Sequence, residues 1–252
     1  MGNLRYSAVK YLLTVSYDGR NYCGYQKQKN GVSVQEKLTD AAEKLFGKGT
    51  RITGCSRTDS GVHAVAFKAT LESENVKIAP EKLPNAMNAH LPSDISVREA
   101  ITVSDDFHPR YSVKEKEYRY VICNSLTRDP CMEGRAYFYP KKLDESVMNE
   151  AARLLVGKHD FRAFMASGSK IEDTVREIYS CSVNREGNKV TVSVRGNGFL
   201  YNMVRIIVGT LISVSDGKIS KCDIEKIIES KDRKNAGPTV SPEGLYLYDV
   251  IY

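Results

Sequence analysis

One short segment of the chain carries many of the polar side chains that could do chemistry. Residues 54–64 read Gly-Cys-Ser-Arg-Thr-Asp-Ser-Gly-Val-His-Ala and lead directly into an alternating apolar run over residues 64–71. A turn rich in Gly, Ser and Asp that feeds a strand presents its side chains from a rigid edge. The carboxylate in this turn is Asp59, which is therefore the candidate catalytic group.

A second candidate charge lies in an apolar segment near the end of the chain. Residues 200–214 have helical spacing with apolar side chains around most of the circumference, which is typical of a buried helix. Arg205 lies in the remaining sector with Tyr201, Asn202 and Gly209, and Gly209 would let another segment approach. A buried guanidinium needs a carboxylate to offset its desolvation. Two interpretations stay open: Arg205 orients and keeps ionised a catalytic carboxylate, or it forms an ordinary core salt bridge.

Tyrosines and basic residues are interleaved in residues 111–120. Tyr118 and Tyr120 share one face of a strand predicted over residues 117–123, because strand side chains alternate with period two. Aromatic rings suit stacking on an unpaired base. Core or cross-strand packing explains the same pair without a ligand, so these residues alone do not decide between the two.

Familiar cofactor motifs are missing from the sequence. It contains no P-loop, no HExxH, no GxSxG, and no GxGxxG after a strand; residues 19–24 resemble a glycine loop only loosely. The six cysteines form no CxxC pair and the four histidines are scattered, so we expect reduced thiols and no metal. The expectation is chemistry without a cofactor by a carboxylate, a group that can act as a covalent nucleophile at glycosidic centres.

The composition is that of a globular protein. The chain has 252 residues, of which 41% are hydrophobic and 27% charged, which is enough for one large domain or two small ones. It has no apolar stretch of about 18 residues, and residues 1–6 lack the apolar core of a signal peptide. We therefore expect a cytoplasmic protein without membrane association. The net charge of +6 is compatible with a phosphate-rich partner, although an ordinary solvated surface is the preferred explanation of charge alone.

Strand and helix patterns alternate twice in a similar order, with a junction near residues 104–114. The first half, residues 1–104, would carry the Asp59 loop, and the second half, residues 115–252, would carry Tyr118 and Arg205. We predict two α/β halves that share one continuous sheet, with a cleft between them. The predicted strands cover residues 11–17, 51–53, 64–71, 95–103, 117–123, 177–183, 190–194 and 245–252, and the predicted helices follow Ser33 as far as Gly47 and cover 84–91, 144–156, 200–214 and 223–230.

Residues 56–64, Ser-Arg-Thr-Asp-Ser-Gly-Val-His-Ala, resemble the GRTDxGVHA signature of the TruA family of tRNA pseudouridine synthases. The resemblance runs from about residue 11 to the end. It departs at Tyr25, where the family often has Trp, and residues 125–134 show no distinctive match. Other stretches that resemble the family, in the same order, are Ser33-Val34-Gln35-Glu36, Asn88-Ala89-His90-Leu91-Pro92, Asp106-Phe107-His108-Pro109-Arg110, Tyr118-Arg119-Tyr120, residues 196–205 (Gly-Asn-Gly-Phe-Leu-Tyr-Asn-Met-Val-Arg) and Pro242-Glu243-Gly244-Leu245-Tyr246-Leu247.

The resemblance implies an α+β pseudouridine synthase fold with a mainly antiparallel central sheet. It implies conversion of uridine to pseudouridine in the anticodon stem-loop of tRNA, typically at positions 38, 39 and 40, by a homodimer that needs no cofactor or metal. Asp59 would be the nucleophile and would attack either the uracil ring or the anomeric carbon of the ribose. The other implied roles are stacking on the target base for Tyr118, pairing with Asp59 for Arg205, packing on the base from the other side for Leu245, and holding the flipped nucleotide for Arg57 and His63.

Two alternatives remain beside this hypothesis. A relative within the same family could modify a different uridine. A protein that binds RNA and acts as a chaperone without chemistry would also use the basic, tyrosine-rich second half, but it would not need Asp59.

Overall fold

The computed structural model describes residues 9–29, 31–74, 78–169 and 171–252. The start of the chain, where no signal peptide is expected, lies outside these residues. The described chain is α+β, as predicted, with ten strands and five α-helices as well as short 3₁₀ turns. It forms two compact units, and the chain passes from the first to the second between Val113 and Lys114.

The strands of the first unit form an antiparallel sheet. Strand β1 pairs with β4 on one side and β3 on the other, and β2 pairs with the far side of β3, all antiparallel. Helix α1 contacts β2 and α2, and α2 contacts β4. The elements are β1 (Val9–Tyr17), α1 (Val34–Phe46), β2 (Arg51–Gly54), β3 (His63–Ser73), α2 (Leu83–Asn88) and β4 (Ile95–Thr102).

Helix α1 illustrates how local sequence sets these boundaries. The side chain of Ser33 accepts a hydrogen bond from the amide of Glu36, which satisfies a free donor at the first turn. The helix ends at Gly47, whose φ of 90° favours glycine. Its buried face, which includes Val34 and Leu38, has the predicted helical spacing. The predicted start and end of this helix are both confirmed.

The second unit also has a mainly antiparallel sheet. Its strands follow the order β5-β9-β8-β7 with antiparallel pairing, and β6 pairs with β5 in parallel. Helix α3 contacts β8 and α4. The elements are β5 (Glu115–Asn124), β6 (Tyr137–Tyr139), α3 (Glu145–Arg153), β7 (Gly157–Asp160), β8 (Val175–Glu186), β9 (Lys189–Gly196), α4 (Met203–Ser215), α5 (Ile224–Ser230) and β10 (Leu245–Ile251).

The terminal strand β10 is divided between the units. Leu247–Val250 and Tyr252 belong to the first unit, whereas Leu245, Tyr246 and Ile251 belong to the second. The sequence pattern assigned this whole strand to the second half. That residues 1–104 and 115–252 act as two separate halves stays a prediction.

Four helices are shorter than their patterns predict. Helix α2 ends at Asn88 rather than at residue 91, and α5 begins one residue later than predicted, at Ile224. Helix α3 ends at Arg153, and the chain then enters the short strand β7 at Gly157. Helix α4 starts at Met203, because Asn202 has left-handed backbone angles that no helix continues. Strands β6 and β7 are three and four residues long, which is too short for an alternation pattern to reveal.

Among the described residues, no helix combines the length and the apolar character that crossing a membrane requires.

Candidate active site

The loop that carries Asp59 is tied at both ends to strand β3. The amide of Cys55 donates to the carbonyl of Lys68 at 2.9 Å, where β2 ends. The amide of Val62 donates to the carbonyl of Asp59 at 3.2 Å, which closes a turn directly before β3 begins. Gly61 lies inside this turn with φ of 79°, a left-handed angle that favours glycine. The side chain of Asp59 is thus presented from a closed turn at the end of a strand and is partly exposed.

A second segment, residues 19–25, lines the back of this loop. The amide of Tyr25 donates to the carbonyl of Thr58 at 3.3 Å, and the amide of Gly61 donates to the carbonyl of Tyr22 at 3.4 Å. The Ser60 hydroxyl donates to the same Tyr22 carbonyl at 3.1 Å. The residues on both sides of Asp59 are therefore bound to one neighbouring stretch of backbone.

Glycines allow this close approach. A Cβ built on Gly19 would lie 2.0 Å from the carbonyl oxygen of Val62, and one built on Gly24 would lie 2.3 Å from that of Thr58. Gly24 also has φ of 106°, which side chains rarely tolerate. This stretch resembles a nucleotide-binding glycine loop only loosely in sequence, and in the structure its glycines serve backbone packing against the Asp59 loop.

Two tyrosines support the loop from the core of the first unit. The hydroxyls of Tyr17 and Thr58 share a hydrogen bond of 2.9 Å. The ring of Tyr25 stacks on Phe67 with centroids 4.1 Å apart. A Cβ on Gly54 would lie only 2.3 Å from the Tyr25 ring. The Tyr25 hydroxyl is buried and has no hydrogen-bond partner among the described residues, a cost that the other tyrosine avoids.

His63 is buried, with 2% of its surface exposed, whereas Arg57 is exposed. The amide of Gly19 donates to Nδ1 of His63 at 3.1 Å, so this nitrogen is an acceptor here. An oxygen of Asp18 lies 3.3 Å from the same nitrogen, and its carboxylate is held by Arg20. Burial acts to raise the pKa of Asp18, but the hydrogen bonds and charge of Arg20 outweigh it and the pKa falls below the ordinary value.

In the second unit, Tyr118 is fixed on the central strand β5. Its ring meets Phe199 edge to face, with centroids 5.1 Å apart and planes at 83°. The side chain is largely covered, with 7% exposed. Tyr120 is fully buried, its hydroxyl donates to the Ser241 carbonyl at 2.7 Å, and burial raises its pKa. Of the two interpretations left open for this pair, core packing is therefore confirmed for Tyr120.

Arg205 is partly exposed and is held by two neighbours in the second unit. Its Nε donates to the carbonyl of Val240 at 2.8 Å, and its Nη1 donates to Oδ1 of Asn202 at 2.7 Å. The amide of Val240 in turn reaches the carbonyl of Arg205 at 3.5 Å. The segment of residues 237–241, here called the strap, therefore runs across helix α4 at the position of Arg205.

Gly209 allows the strap to pass. A Cβ at this position would lie 1.8 Å from the carbonyl oxygen of Pro238, and the amide of Gly237 donates to the hydroxyl of Thr210 at 2.9 Å. The expectation that the missing side chain admits another segment is confirmed.

Leu245 follows the strap and is buried at the start of β10. A short 3₁₀ turn, Pro242–Gly244, connects them. A Cβ on Gly244 would lie 2.6 Å from the carbonyl oxygen of Val121 and 2.7 Å from the Tyr120 ring, so this turn lies directly on β5. Leu245 is thereby placed beside the strand that carries Tyr118.

The predicted site residues thus fall into two groups. Arg57, Asp59 and His63 lie in one loop of the first unit and its junction with β3. The second unit contains Tyr118, Arg205 and Leu245, which β5, the strap and α4 connect. Pairing of Asp59 with Arg205 stays a prediction.

Sequence reasoning missed two acceptors that hold Arg205: the side-chain oxygen of Asn202 and the backbone carbonyl of Val240. Asn202 occupies the same polar helix sector as Arg205, which is a signal that could have identified it. The Val240 carbonyl has no sequence signal, because any residue would supply it. No cluster of three or more His, Cys, Asp or Glu side chains suited to a metal ion occurs in the part of the chain that the structure describes.

Comparison with known proteins identifies the family. The profile described as tRNA pseudouridine synthase matches residues 13–112 and 151–252. A tRNA pseudouridine synthase A of Caldicellulosiruptor saccharolyticus is 45% identical over 241 residues, which cover 96% of this chain and 98% of the relative. The protein of the same name from Thermoanaerobacter sp. is 46% identical over 243 residues with the same coverage, and that of Rhodospirillum rubrum is 41% identical over 245 residues, covering 97% of this chain and 88% of the relative. These matches extend over nearly the whole chain, and it belongs to the tRNA pseudouridine synthase A family.

Proposed function

We propose that this protein isomerises uridine to pseudouridine in the anticodon stem-loop of tRNA, at positions 38, 39 and 40, with Asp59 as the nucleophile. The observation that carries the proposal is the Asp59 turn. It belongs to a chain of this family, and backbone contacts hold the residues on both sides of the carboxylate. A reactive group needs such fixed geometry, because a displacement of about 1 Å can cost roughly a hundredfold in rate.

The proposed reaction conserves every atom of the uridine. The Asp59 carboxylate attacks either the uracil ring or the anomeric carbon of the ribose, and the bond between N1 and the sugar breaks. The base then turns so that C5 faces the anomeric carbon. A carbon–carbon bond forms there, the proton on C5 is lost, N1 gains a proton, and the carboxylate is released.

The second unit would supply the surroundings of the base. Tyr118 would stack on the uracil, a role supported by its fixed edge-to-face contact with Phe199. Leu245 would pack against the base from the other side. Arg205 would pair with Asp59 and lower its pKa, which keeps the carboxylate ionised and nucleophilic.

Binding of the tRNA would rest on charge and on a second subunit. Extruding a base from a structured stem costs a few kcal/mol, which favourable contacts elsewhere must offset. The exposed Arg57 is suited to a phosphate contact, while the buried His63 would act on the nucleotide through the loop that it supports. We further propose a cytoplasmic homodimer in which one tRNA contacts both subunits.

The test is a modification map of an unmodified tRNA transcript incubated with the protein. Pseudouridine is located by carbodiimide labelling and primer extension, before and after the substitution Asp59→Asn. This change keeps the shape of the side chain and removes its charge. We expect product at positions 38, 39 and 40 with the wild type and a loss of at least about 10⁴-fold in turnover with the variant, because no other group replaces the nucleophile.

Asp40→Asn is the matched control, because Asp40 is an exposed carboxylate on helix α1 of the same unit. It should leave turnover unchanged. Product at other uridines would indicate a relative with a different positional choice. No product with the wild type, or full product with Asp59→Asn, would exclude the proposed chemistry, and tRNA binding without product would favour the RNA-binding alternative.

A further inference from the structure

We propose that Asn202 is a positioning residue that holds the guanidinium of Arg205 in its working orientation. The inference rests on the proposed function, in which Arg205 acts on the catalytic carboxylate. It concerns a residue that the sequence pattern left without a role.

The backbone of Asn202 is unusual. It has φ of 59° and ψ of 11°, a left-handed conformation, directly before helix α4. Few residues other than glycine adopt this conformation, and Asn is among those that tolerate it best. A glycine would meet the backbone requirement at lower cost, so an asparagine here points to a use for its side chain.

The side chain is not used as a helix cap. An Asn in this position normally accepts a hydrogen bond from the second or third amide of the helix. Asn202 makes no such bond. Its Oδ1 accepts instead from Nη1 of Arg205 at 2.7 Å, one turn along the helix. Hydrogen bonds from a charged donor are the stronger class, so this contact favours one guanidinium orientation.

A second contact fixes the plane of the same group. Nε of Arg205 donates to the carbonyl of Val240 at 2.8 Å, and this carbonyl belongs to the strap that Gly209 lets pass. The guanidinium is planar, so contacts at Nε and at Nη1 together restrict rotation about the bonds of the side chain. Without Asn202, the contact at Nε remains, but Nη1 loses its acceptor on the carboxamide and the guanidinium plane is held less firmly.

Such restriction matters because an arginine side chain is long and loses much conformational freedom on ordering. If Asn202 and the strap order it in the free protein, the reacting complex does not bear that cost. The expected consequence is a contribution to turnover rather than to the strength of tRNA binding.

The substitution Asn202→Gly tests this directly, because glycine adopts the left-handed backbone readily while the side chain that contacts Arg205 is removed. We expect kcat on an anticodon-arm substrate to fall by about tenfold to a hundredfold. KM should change by less than about threefold, since tRNA contacts elsewhere are kept. In ¹⁵N NMR spectra, the Arg205 guanidinium signals, assigned by their loss in Arg205→Lys, should broaden or average in Asn202→Gly.

Lys231 supplies the matched control. Among the described residues it is the other non-glycine residue with positive φ, at 54°, and it ends helix α5 in the same unit. Lys231→Gly makes the same backbone change and removes a partly exposed ion pair with Asp160. We expect its kcat, KM and Arg205 signals to equal those of the wild type.

Each result decides the question. An unchanged kcat with unchanged Arg205 signals in Asn202→Gly overturns the inference, and so does failure of this variant to fold, because Asn202 would then support the fold instead. A wild type that makes no pseudouridine refutes the proposed function, while the Arg205 signals of the two variants still report whether Asn202 holds the guanidinium.

Discussion

The two units hold their principal charged side chains by different means. Asp59 lies in an irregular loop, and the contacts that secure it are mainly between backbones, from residues 19–25 to residues 58–62. Arg205 lies on a regular helix, and its guanidinium donates hydrogen bonds to the side chain of Asn202 and to the carbonyl of Val240. The Asp59 loop depends on glycines, whose lack of a side chain lets two backbones approach. The position of Arg205 depends on two hydrogen-bond acceptors.

This difference determines which substitutions should matter in each unit. Around Asp59, adding a single methyl group to a neighbouring glycine forces two backbones apart. Around Arg205, removing one acceptor takes away one of the contacts that orient the charged group without moving the helix. The loop should therefore be sensitive to added volume, and the helix to lost polar contacts and to displacement of the strap.

Among substitutions that change how the two charged groups are held rather than the groups themselves, the largest effect is expected for Gly24→Ala. Its Cβ would lie 2.3 Å from the Thr58 carbonyl oxygen, which cannot move without moving the neighbouring Asp59. Backbone strain at φ of 106° adds about 1–3 kcal/mol of destabilisation. We expect pseudouridine formation to fall by roughly a hundredfold, as for a nucleophile misplaced by about 1 Å. Single-turnover rates on an anticodon-arm substrate measure this loss.

Gly47→Ala separates the close contact from the strain. Gly47 also has positive φ, at 90°, but a Cβ there would meet nothing within 4 Å. The backbone strain alone should lower the free energy of unfolding of Gly47→Ala by about 1–3 kcal/mol, which thermal unfolding measures. Its turnover should stay at the wild-type level. Equal turnover in the two variants would show that the backbone contact at Thr58 does not position Asp59.

The second effect in size is expected for Gly209→Ala. Alanine gains about 1 kcal/mol over glycine in helix propensity. Its Cβ, however, would lie 1.8 Å from the Pro238 carbonyl oxygen, and overpacking of this kind costs about 1–3 kcal/mol or more. The clash involves two backbones, so its cost should lie at the upper end of this range, for a net loss of about 2 kcal/mol. Displacing the strap also removes the Val240 contact of Arg205, so turnover should fall about tenfold.

Asp40→Ala in helix α1 shows what alanine does in an exposed helical position without such a contact. Denaturant unfolding should give a change within about 0.5 kcal/mol of the wild type. If Gly209→Ala were as stable as this control, the strap would have to accommodate the methyl group, and its role at Arg205 would be disproved.

The sequence predicted much of this structure because the signals were local. Helix α1 has a Ser33 cap, a periodic apolar face and a terminal glycine, and all three are used. The apolar circumference and the polar sector of residues 200–214 predicted a buried helix that another segment approaches at Gly209, as observed. Each of these features depends on residues within a few turns of one another.

Contacts between distant residues could not be predicted in this way. Gly19 and Gly24 look like an imperfect nucleotide loop, and only the fold reveals that they lie against Val62 and Thr58. The carbonyl of Val240 reaches Arg205 across 35 positions and leaves no trace in residue type. The left-handed angle of Asn202, which shortened helix α4, also depends on its surroundings rather than on propensity.

The smallest effects concern the two tyrosines whose rings contact Phe67 behind the Asp59 loop. Tyr17 shares a hydrogen bond with Thr58, whereas the buried hydroxyl of Tyr25 has no partner among the described residues. Removing a hydrogen-bonded hydroxyl costs about 1 kcal/mol, and removing a buried unsatisfied one relieves about 1 kcal/mol or more. Tyr17→Phe should therefore lower the free energy of unfolding, and Tyr25→Phe should raise it.

Denaturant unfolding measures the change in the free energy of unfolding for each variant. The two changes can be compared directly, because each variant loses one hydroxyl oxygen and keeps its ring contact with Phe67. Turnover adds a second comparison. Tyr17→Phe removes the hydrogen bond to Thr58, the residue before Asp59, and should slow the reaction a few-fold. Tyr25→Phe should leave the rate unchanged. Destabilisation by both substitutions would mean that the Tyr25 hydroxyl is satisfied in solution. The Asp59 loop would then be held by polar side chains as well as by close backbone contacts. The two units would differ less in how they hold Asp59 and Arg205.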